Sequence, residues 1–129
     1  MVLAIGVSAL AWYLSRPAKD DLSNGPSVAV RLPASFSGRA IRGKVHFDEN
    51  CAACHGENAA GTGNGPPLVH NIYEPGHHAD AAFQLAATRG TRSHHWNFGD
   101  MPPVAGIEAE EVSFIVAYVR ELQRANGIE

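Results

Sequence analysis

The sequence predicts an all-α fold of three to four helices, and three segments support this prediction. Residues from Gly38 to Asn50 and from Glu108 to Arg124 have apolar side chains at helical spacing, and a shorter alanine-rich helix is expected from Asp80 to Thr88. The stretch Val28 to Val30 is too short to count as more than an extended piece. The 129-residue chain is therefore expected to form one small helical domain with an N-terminal appendage.

The appendage begins with residues 1–16, which include an uncharged apolar run, Val2 to Leu14, followed by Arg16. The run is shorter than the roughly 20 residues that span a bilayer, although Trp12 and Tyr13 are of the type found at membrane interfaces. We expect a membrane anchor that stays attached, with a cleaved export signal or a buried core segment as the alternatives.

Residues 17–38 have the composition of a tether. Three prolines lie among Ser, Asn and Gly residues, and this composition favours an extended linker without a fixed conformation. The compact domain is expected to occupy residues 39–129.

The first predicted helix places Ile41, Val45 and Phe47, together with Cys51, toward the core. Gly43 lies in its interior, where glycine costs roughly 1 kcal/mol relative to alanine. We therefore expect another segment to pack closely against Gly43.

The two later helices have recognisable ends. Asp80 is the predicted N-cap and Gly90 the predicted stop of the alanine-rich helix. The last helix has acidic residues in its first turn, as the helix dipole prefers, and ends at Asn126 and Gly127. The predicted apolar faces comprise Phe83, Ala86 and Ala87 in the shorter helix and Val112, Ile115, Val116, Val119 and Leu122, flanked by Tyr118, in the last.

Both cysteines of the chain lie in one pentapeptide, Cys51-Ala52-Ala53-Cys54-His55. This pattern is typical of covalent haem c attachment, in which two thiols form thioethers with the porphyrin and the histidine binds the iron. The alternatives are weaker, because structural zinc needs four ligands, a redox dithiol needs a βαβ context, and a disulfide across two residues would be strained. We favour one covalent haem, which would supply much of the core of so small a domain.

A second axial ligand is expected at Met101, the one methionine besides Met1. Gly99 permits a sharp turn before it, and Pro102 and Pro103 stiffen the backbone after it. His/Met pairs are a known ligation of c-type haem, and the weak thioether donor raises the reduction potential. The alternative is a methionine that only fills a packing gap.

The segment from Gly56 to Leu68 is rich in glycine and proline and is expected to form an irregular loop over the haem edge. A metal-bound histidine needs an acceptor for its other ring nitrogen, and a backbone carbonyl near Pro66 is the candidate acceptor for His55. Leu68 is expected to pack on the porphyrin face.

Charge excludes one class of partner. The formal net charge is -3 and there is no basic run, so nucleic acid is not expected to bind. Haem attachment would use both cysteines, and the cysteine count therefore does not indicate the redox compartment.

Together these residues resemble a class I c-type cytochrome from about Gly38 to Ile128. In that family a glycine and an aromatic residue precede the first cysteine by eight and four positions, as Gly43 and Phe47 do here. The family's terminal helix crosses at that glycine through an aliphatic and an aromatic residue, which Ile115 and Tyr118 match. The pentapeptide, the Gly-Pro-x-Leu segment and the methionine loop complete the resemblance.

The resemblance implies a cytochrome c-like fold around one haem and a monohaem carrier of single electrons. The chain would then not be an enzyme, although it could be the electron-transfer subunit of a larger redox enzyme. The resemblance also implies a position on the periplasmic side of the bacterial cytoplasmic membrane, with the N-terminal segment as anchor. A quinol-oxidising complex, a terminal oxidase or a dehydrogenase would be the redox donor or acceptor.

Five histidines between the two expected axial ligands are not required by the family pattern. They are His70, His77, His78, His94 and His95. If folding brings them together they could bind copper or zinc, since imidazole suits both metals. The alternative function is therefore a haem-bearing module with a regulatory or metal-handling role, whereas surface or haem-contacting histidines are the commoner explanation.

Overall fold

A computed structural model describes residues 27–129, and within this range the chain forms four α-helices. These are α1 (Gly38–Asn50), α2 (Ala52–His55), α3 (Asp80–Arg89) and α4 (Ala109–Ala125). Two short 3-10 turns lie at Glu57–Ala59 and Asn71–Tyr73. Within residues 27–129 the extended pairing is limited to isolated bridges, so the all-α prediction is confirmed.

The predicted apolar segment, residues 1–16, lies outside the described residues, as does the first part of the predicted tether. Among residues 27–129, no helix combines the length and the apolar character that a bilayer span requires.

The fold is organised by the crossing of α1 and α4 at Gly43. A Cβ atom at Gly43 would overlap the backbone carbonyl of Phe114 and lie 3.0 Å from the Cβ of Tyr118. Tyr118 is fully buried and packs against the rings of Phe47 and Phe36, with centroid distances of 5.5 and 5.3 Å. The predicted close packing at Gly43 is confirmed, since only glycine permits this approach.

The predicted apolar stripe of α1 is partly wrong. Ile41 and Val45 are 57% and 53% exposed, whereas Ala40, Gly43 and Phe47 are buried. The close approach of α4 sets which face of α1 is inward, and residues spaced at 40, 43 and 47 lie on that face. Ile41 and Val45 share the neighbouring, solvent-facing side of the helix.

The last helix follows its predicted stripe, because Val112, Ile115, Val116, Val119 and Leu122 are all buried. It begins one residue later than predicted, with Glu108 as N-cap. The side chains of Glu108 and Glu111 each accept a hydrogen bond from the other's backbone N–H, which closes a capping box.

Asp80 is not the N-cap of α3 as predicted. Ala79 occupies the cap, and Asp80 is the first helical residue. The carboxylate of Asp80 instead accepts a 2.9 Å hydrogen bond from Nε of Arg120 on α4. The predicted end at Gly90 is confirmed, since Gly90 is the C-cap with φ of 75°.

The described part of the predicted tether lies against the domain. Val28 donates a backbone hydrogen bond to Ala60, and Val28, Val30 and Phe36 pack on the core. Ser37 caps α1, where its side chain accepts from the backbone N–H of Ala40. This stretch therefore covers one side of the helical core.

Candidate haem site

A cavity of about 600 Å³ lies beside the α1/α4 crossing. Its volume is within the range of protein cofactor pockets. The cavity is bordered by apolar side chains from three helices and the loop after α2, namely Phe47, Leu68, Phe83, Ala87, Val112 and Ile115. Cys51, Cys54, His55 and Met101 line the same cavity. The structure therefore brings together the four residues that the sequence predicted for haem attachment and iron binding.

The cysteines are positioned by the end of α1 and the single turn of α2. Cys51 is the residue after α1, and its N–H donates to the carbonyl of Phe47 at 2.8 Å. Cys54 is exposed, Cys51 is half-buried, and both are free thiols. Burial, and then the charge of Cys54, raise the pKa of the Cys51 thiol to about 11. The Cys51 thiol is thus protonated at neutral pH, and the turn holds both cysteines beside the cavity.

His55 is oriented by the loop that follows it. Its Nδ1 lies 2.9 Å from the carbonyl oxygen of Pro66. Because a carbonyl can only accept, Nδ1 carries the proton and Nε2 keeps its lone pair. Burial lowers the pKa of His55, which favours the neutral imidazole, although the bond to Pro66 acts in the opposite direction.

The loop is held tightly against α2. Thr62 donates through its hydroxyl to the carbonyl of Cys54 at 2.6 Å, and Gly61 N–H donates to the carbonyl of His55 at 2.6 Å. A Cβ atom at Gly65 would lie 2.7 Å from the Cys54 carbonyl oxygen. Glycine is therefore needed at position 65 for the loop to bring Pro66 to His55.

Met101 lies in a loop that is fixed by a two-residue bridge. Its N–H donates to the carbonyl of Thr91 at 2.9 Å, and the N–H of Thr91 donates back at 3.0 Å. Gly90 makes the turn possible, because a Cβ there would lie 2.5 Å from the carbonyl oxygen of Met101. Val104 N–H bonds to the carbonyl of Ala87, which ties the end of the loop to α3.

Four of the five histidines cluster at the edge of the cavity. Candidate metal-ligating atoms of His77, His78 and His95 all lie within 4.8 Å of one another, and the ring of His94 lies 4.2 Å from that of His95. Partial desolvation by the neighbouring rings, and then electrostatic interaction with His94, His78 and His77, lower the pKa of the exposed His95. His70 is separate, because its Nδ1 accepts from the backbone N–H of Ile72.

A buried polar network centred on Arg120 was not predicted from the sequence. Arg120 is 7% exposed and donates to the carbonyls of Tyr73 and His78, at 2.7 and 2.5 Å, and to the side chain of Gln123. The available signal was the position of Arg120 beside Val119 on the buried side of α4. The pairing of Trp96 Nε1 with the hydroxyl of Tyr73, at 3.1 Å, had no comparable signal in the sequence.

The donor set and the cavity fit a covalently bound haem. Two thiols on one turn with an imidazole beside them are the groups that attach haem c, and the thioether and the largely apolar wall of the cavity are compatible with it. The fold and site define a helical domain that binds one haem c.

Comparison with known proteins supplies the family. The family model described as cytochrome c matches residues 40–123, and the chain therefore belongs to the cytochrome c family. A stretch of 36 residues is 56% identical to the cbb3-type cytochrome c oxidase subunit CcoP of Azospirillum brasilense, covering 23% of this chain and 12% of that relative. No solved structure matches the chain significantly. Membership of this family makes haem-based electron transfer the function of the domain.

Proposed function

We propose that the protein is a monohaem carrier of single electrons in which His55 and Met101 would bind the haem iron. The observation that carries the proposal is that both side chains line the cavity that also receives Cys51 and Cys54. Haem bound there supplies an iron centre that alternates between Fe(III) and Fe(II).

The residues around His55 prepare it for this role. The hydrogen bond to Pro66 fixes the tautomer that leaves Nε2 free and sets the plane of the ring. The acceptor is a backbone carbonyl, so its position does not depend on a side-chain rotamer.

Met101 contributes a weak, neutral donor. A thioether would stabilise Fe(II) relative to Fe(III), and the Thr91 bridge and the flanking prolines fix the position of Met101 for this role. With His55 and Met101 both bound to the iron, oxygen, peroxide and other small ligands would find no open position. This favours electron transfer over enzymatic chemistry at the same site.

The apolar wall of the cavity favours electron transfer with little rearrangement of solvent. Phe47, Leu68, Val112 and Ile115 are buried residues that exclude water from one side.

The proposed partners are a redox donor and a redox acceptor: a quinol-oxidising complex, a terminal oxidase or a dehydrogenase. The similarity to an oxidase subunit supports a place in a bacterial respiratory chain. We further propose that the protein works on the periplasmic side of the cytoplasmic membrane, anchored by residues 1–16.

Potentiometric titration of the full chain, matured in a host that attaches haem c, tests the carrier proposal. A reversible one-electron transition, with no carbon monoxide or cyanide binding at rest, is expected. Rapid binding of either ligand by the wild-type protein would instead indicate an open iron site and an enzymatic or sensing role. Recovery of the haem protein in the membrane fraction, and its loss from that fraction when residues 1–16 are deleted, tests the anchor.

A further inference from the structure

The histidine cluster joins two separate segments of the chain. His77 and His78 follow the turn at residues 71–73, whereas His95 lies in the loop that leads to Met101. The Nε2 atoms of His77 and His95 are 3.3 Å apart. His78 completes a group of three in which all ligand atoms lie within 4.8 Å of one another.

These separations suit a bound metal ion. Two nitrogens bound at about 2.0–2.1 Å to one tetrahedral ion lie about 3.3 to 3.4 Å apart, which the His77–His95 pair already matches. The third nitrogen has to approach by at most about 1.5 Å, a distance that side-chain rotation covers. His77 and His95 are exposed, so an ion can reach them from solvent.

His78 is held as metal-binding histidines usually are. Its Nδ1 donates to the carbonyl of Ile72 at 2.6 Å, which leaves Nε2 as the ligand atom. Its backbone carbonyl accepts from the buried guanidinium of Arg120. One ligand is therefore fixed to the core before any ion binds.

The segment that carries His95 is held near His78 by hydrogen bonds. Trp96, the next residue, donates through its indole N–H to Tyr73, and the N–H of Ser93 donates to the carboxylate of Asp100. The ring of His94 packs against that of His95 at 4.2 Å. These contacts limit the positions that the His95 ring can occupy.

We propose that His77, His78 and His95 bind one Zn²⁺ or Cu²⁺ ion, with a fourth position open to water or another ligand. Imidazole suits both metals, and three histidines with an open position are an established coordination of zinc. The ion would link the segment after residue 70 to the methionine loop. This function is additional to electron transfer and does not depend on His/Met ligation.

Metal analysis of untagged, haem-loaded protein tests the proposal. After exposure to Zn²⁺ or Cu²⁺ and removal of unbound ion, the wild type should hold one iron and one added metal per chain. The double variant His77→Gln/His95→Gln should hold iron alone, and the control His46→Gln, which changes a histidine outside the cluster, should keep the added metal. Testing Zn²⁺ and Cu²⁺ in separate experiments identifies which metal is bound more tightly. In the Cu²⁺ experiment, the nitrogen splittings of the electron paramagnetic resonance spectrum should be lost in the double variant.

Equal metal content in the wild type and the double variant, or no added metal in either arm, would overturn the proposal. Hydrogen exchange gives a second readout. Zn²⁺ should slow exchange of backbone amides in residues 91–101 and 71–78 of the wild type and leave the double variant unchanged. Identical exchange with and without Zn²⁺ in the wild type would also contradict the site.

Discussion

The two sides of the haem cavity are held by different forces. The attachment side comprises α1, α2, α4 and the loop as far as Val69, and it is a packed core built on the contact at Gly43. On the methionine side, residues 70–104, Ala87 is the one buried residue, and it is 9% exposed. The methionine side depends on hydrogen bonds, the Thr91 bridge and the Arg120 network. Cys51, Cys54 and His55 are thus supported by rigid packing, whereas the proposed ligand Met101 and the histidine cluster belong to the more easily altered side.

The substitution Gly43→Val should have the largest effect, because it acts on the packed side. The new side chain would collide with the backbone of Phe114 and separate α1 from α4. We expect the free energy of unfolding to fall by about 3 kcal/mol or more. Denaturant unfolding of the haem-loaded protein measures this, and Gly38→Val is the control, since no atom lies within 4 Å of a Cβ at Gly38. Equal effects of the two substitutions would show that the crossing is not tightly packed.

Arg120→Met tests the link between the two sides. It leaves the carbonyl of His78 and the side chain of Gln123 without their charged donor. We expect a loss of about 2 to 3 kcal/mol in unfolding free energy. The exposed residue Arg124 lies on the same helix, and Arg124→Met should change stability little. A matching loss in both variants would assign the effect to charge rather than to the buried network.

Tyr118 gives the packed side a dependence on alkaline pH. Burial, and then the charges of Asp48 and Glu57, raise the pKa of Tyr118 from 10 to about 12. Between pH 10 and 12 the folded state keeps a proton that the unfolded state loses. The contribution of Tyr118 to the free energy of unfolding is therefore full below pH 10 and declines as the pH rises toward 12. The decline should be about 2 kcal/mol, and it should be absent in Tyr118→Phe. Parallel stability curves for the two proteins between these pH values would contradict the raised pKa.

The smallest effect is expected on the methionine side, at the bond from Trp96 to Tyr73. Trp96→Phe should cost about 1 kcal/mol and should speed amide exchange in residues 91–101 more than in α1 or α4. A double-mutant cycle with Tyr73→Phe isolates the bond. Additive effects of the two substitutions would mean that the bond does not hold the loop.

The packed side was largely predictable from the sequence. Helical spacing gave α1 and α4, and the glycine within α1 indicated a close crossing. The inward face of α1 was not predictable, since Ile41 and Val45 are as apolar as the residues that are buried. Contact with α4, rather than side-chain polarity, decides which face is covered.

The methionine side was less predictable because its contacts are between distant polar groups. The motif around Met101 suggested a ligand, but nothing in the sequence pairs Thr91 with Met101 or Arg120 with the carbonyl of His78. The two His-His pairs suggested metal binding only if the fold brought them together. Their proximity is a consequence of how residues 70–101 are tied to α4.

The most direct test of the account is the absorption spectrum of the oxidised, haem-loaded protein, compared with that of Met101→Ala. The wild type should show the sulfur-to-iron charge-transfer band, and haem should remain with the polypeptide after acid-acetone extraction. Met101→Ala should keep the covalent haem, lose the band, bind added ligands and have a lower reduction potential, whereas His95→Gln should keep the band. A band that persists in Met101→Ala, or haem that extracts from the wild type, would contradict the account.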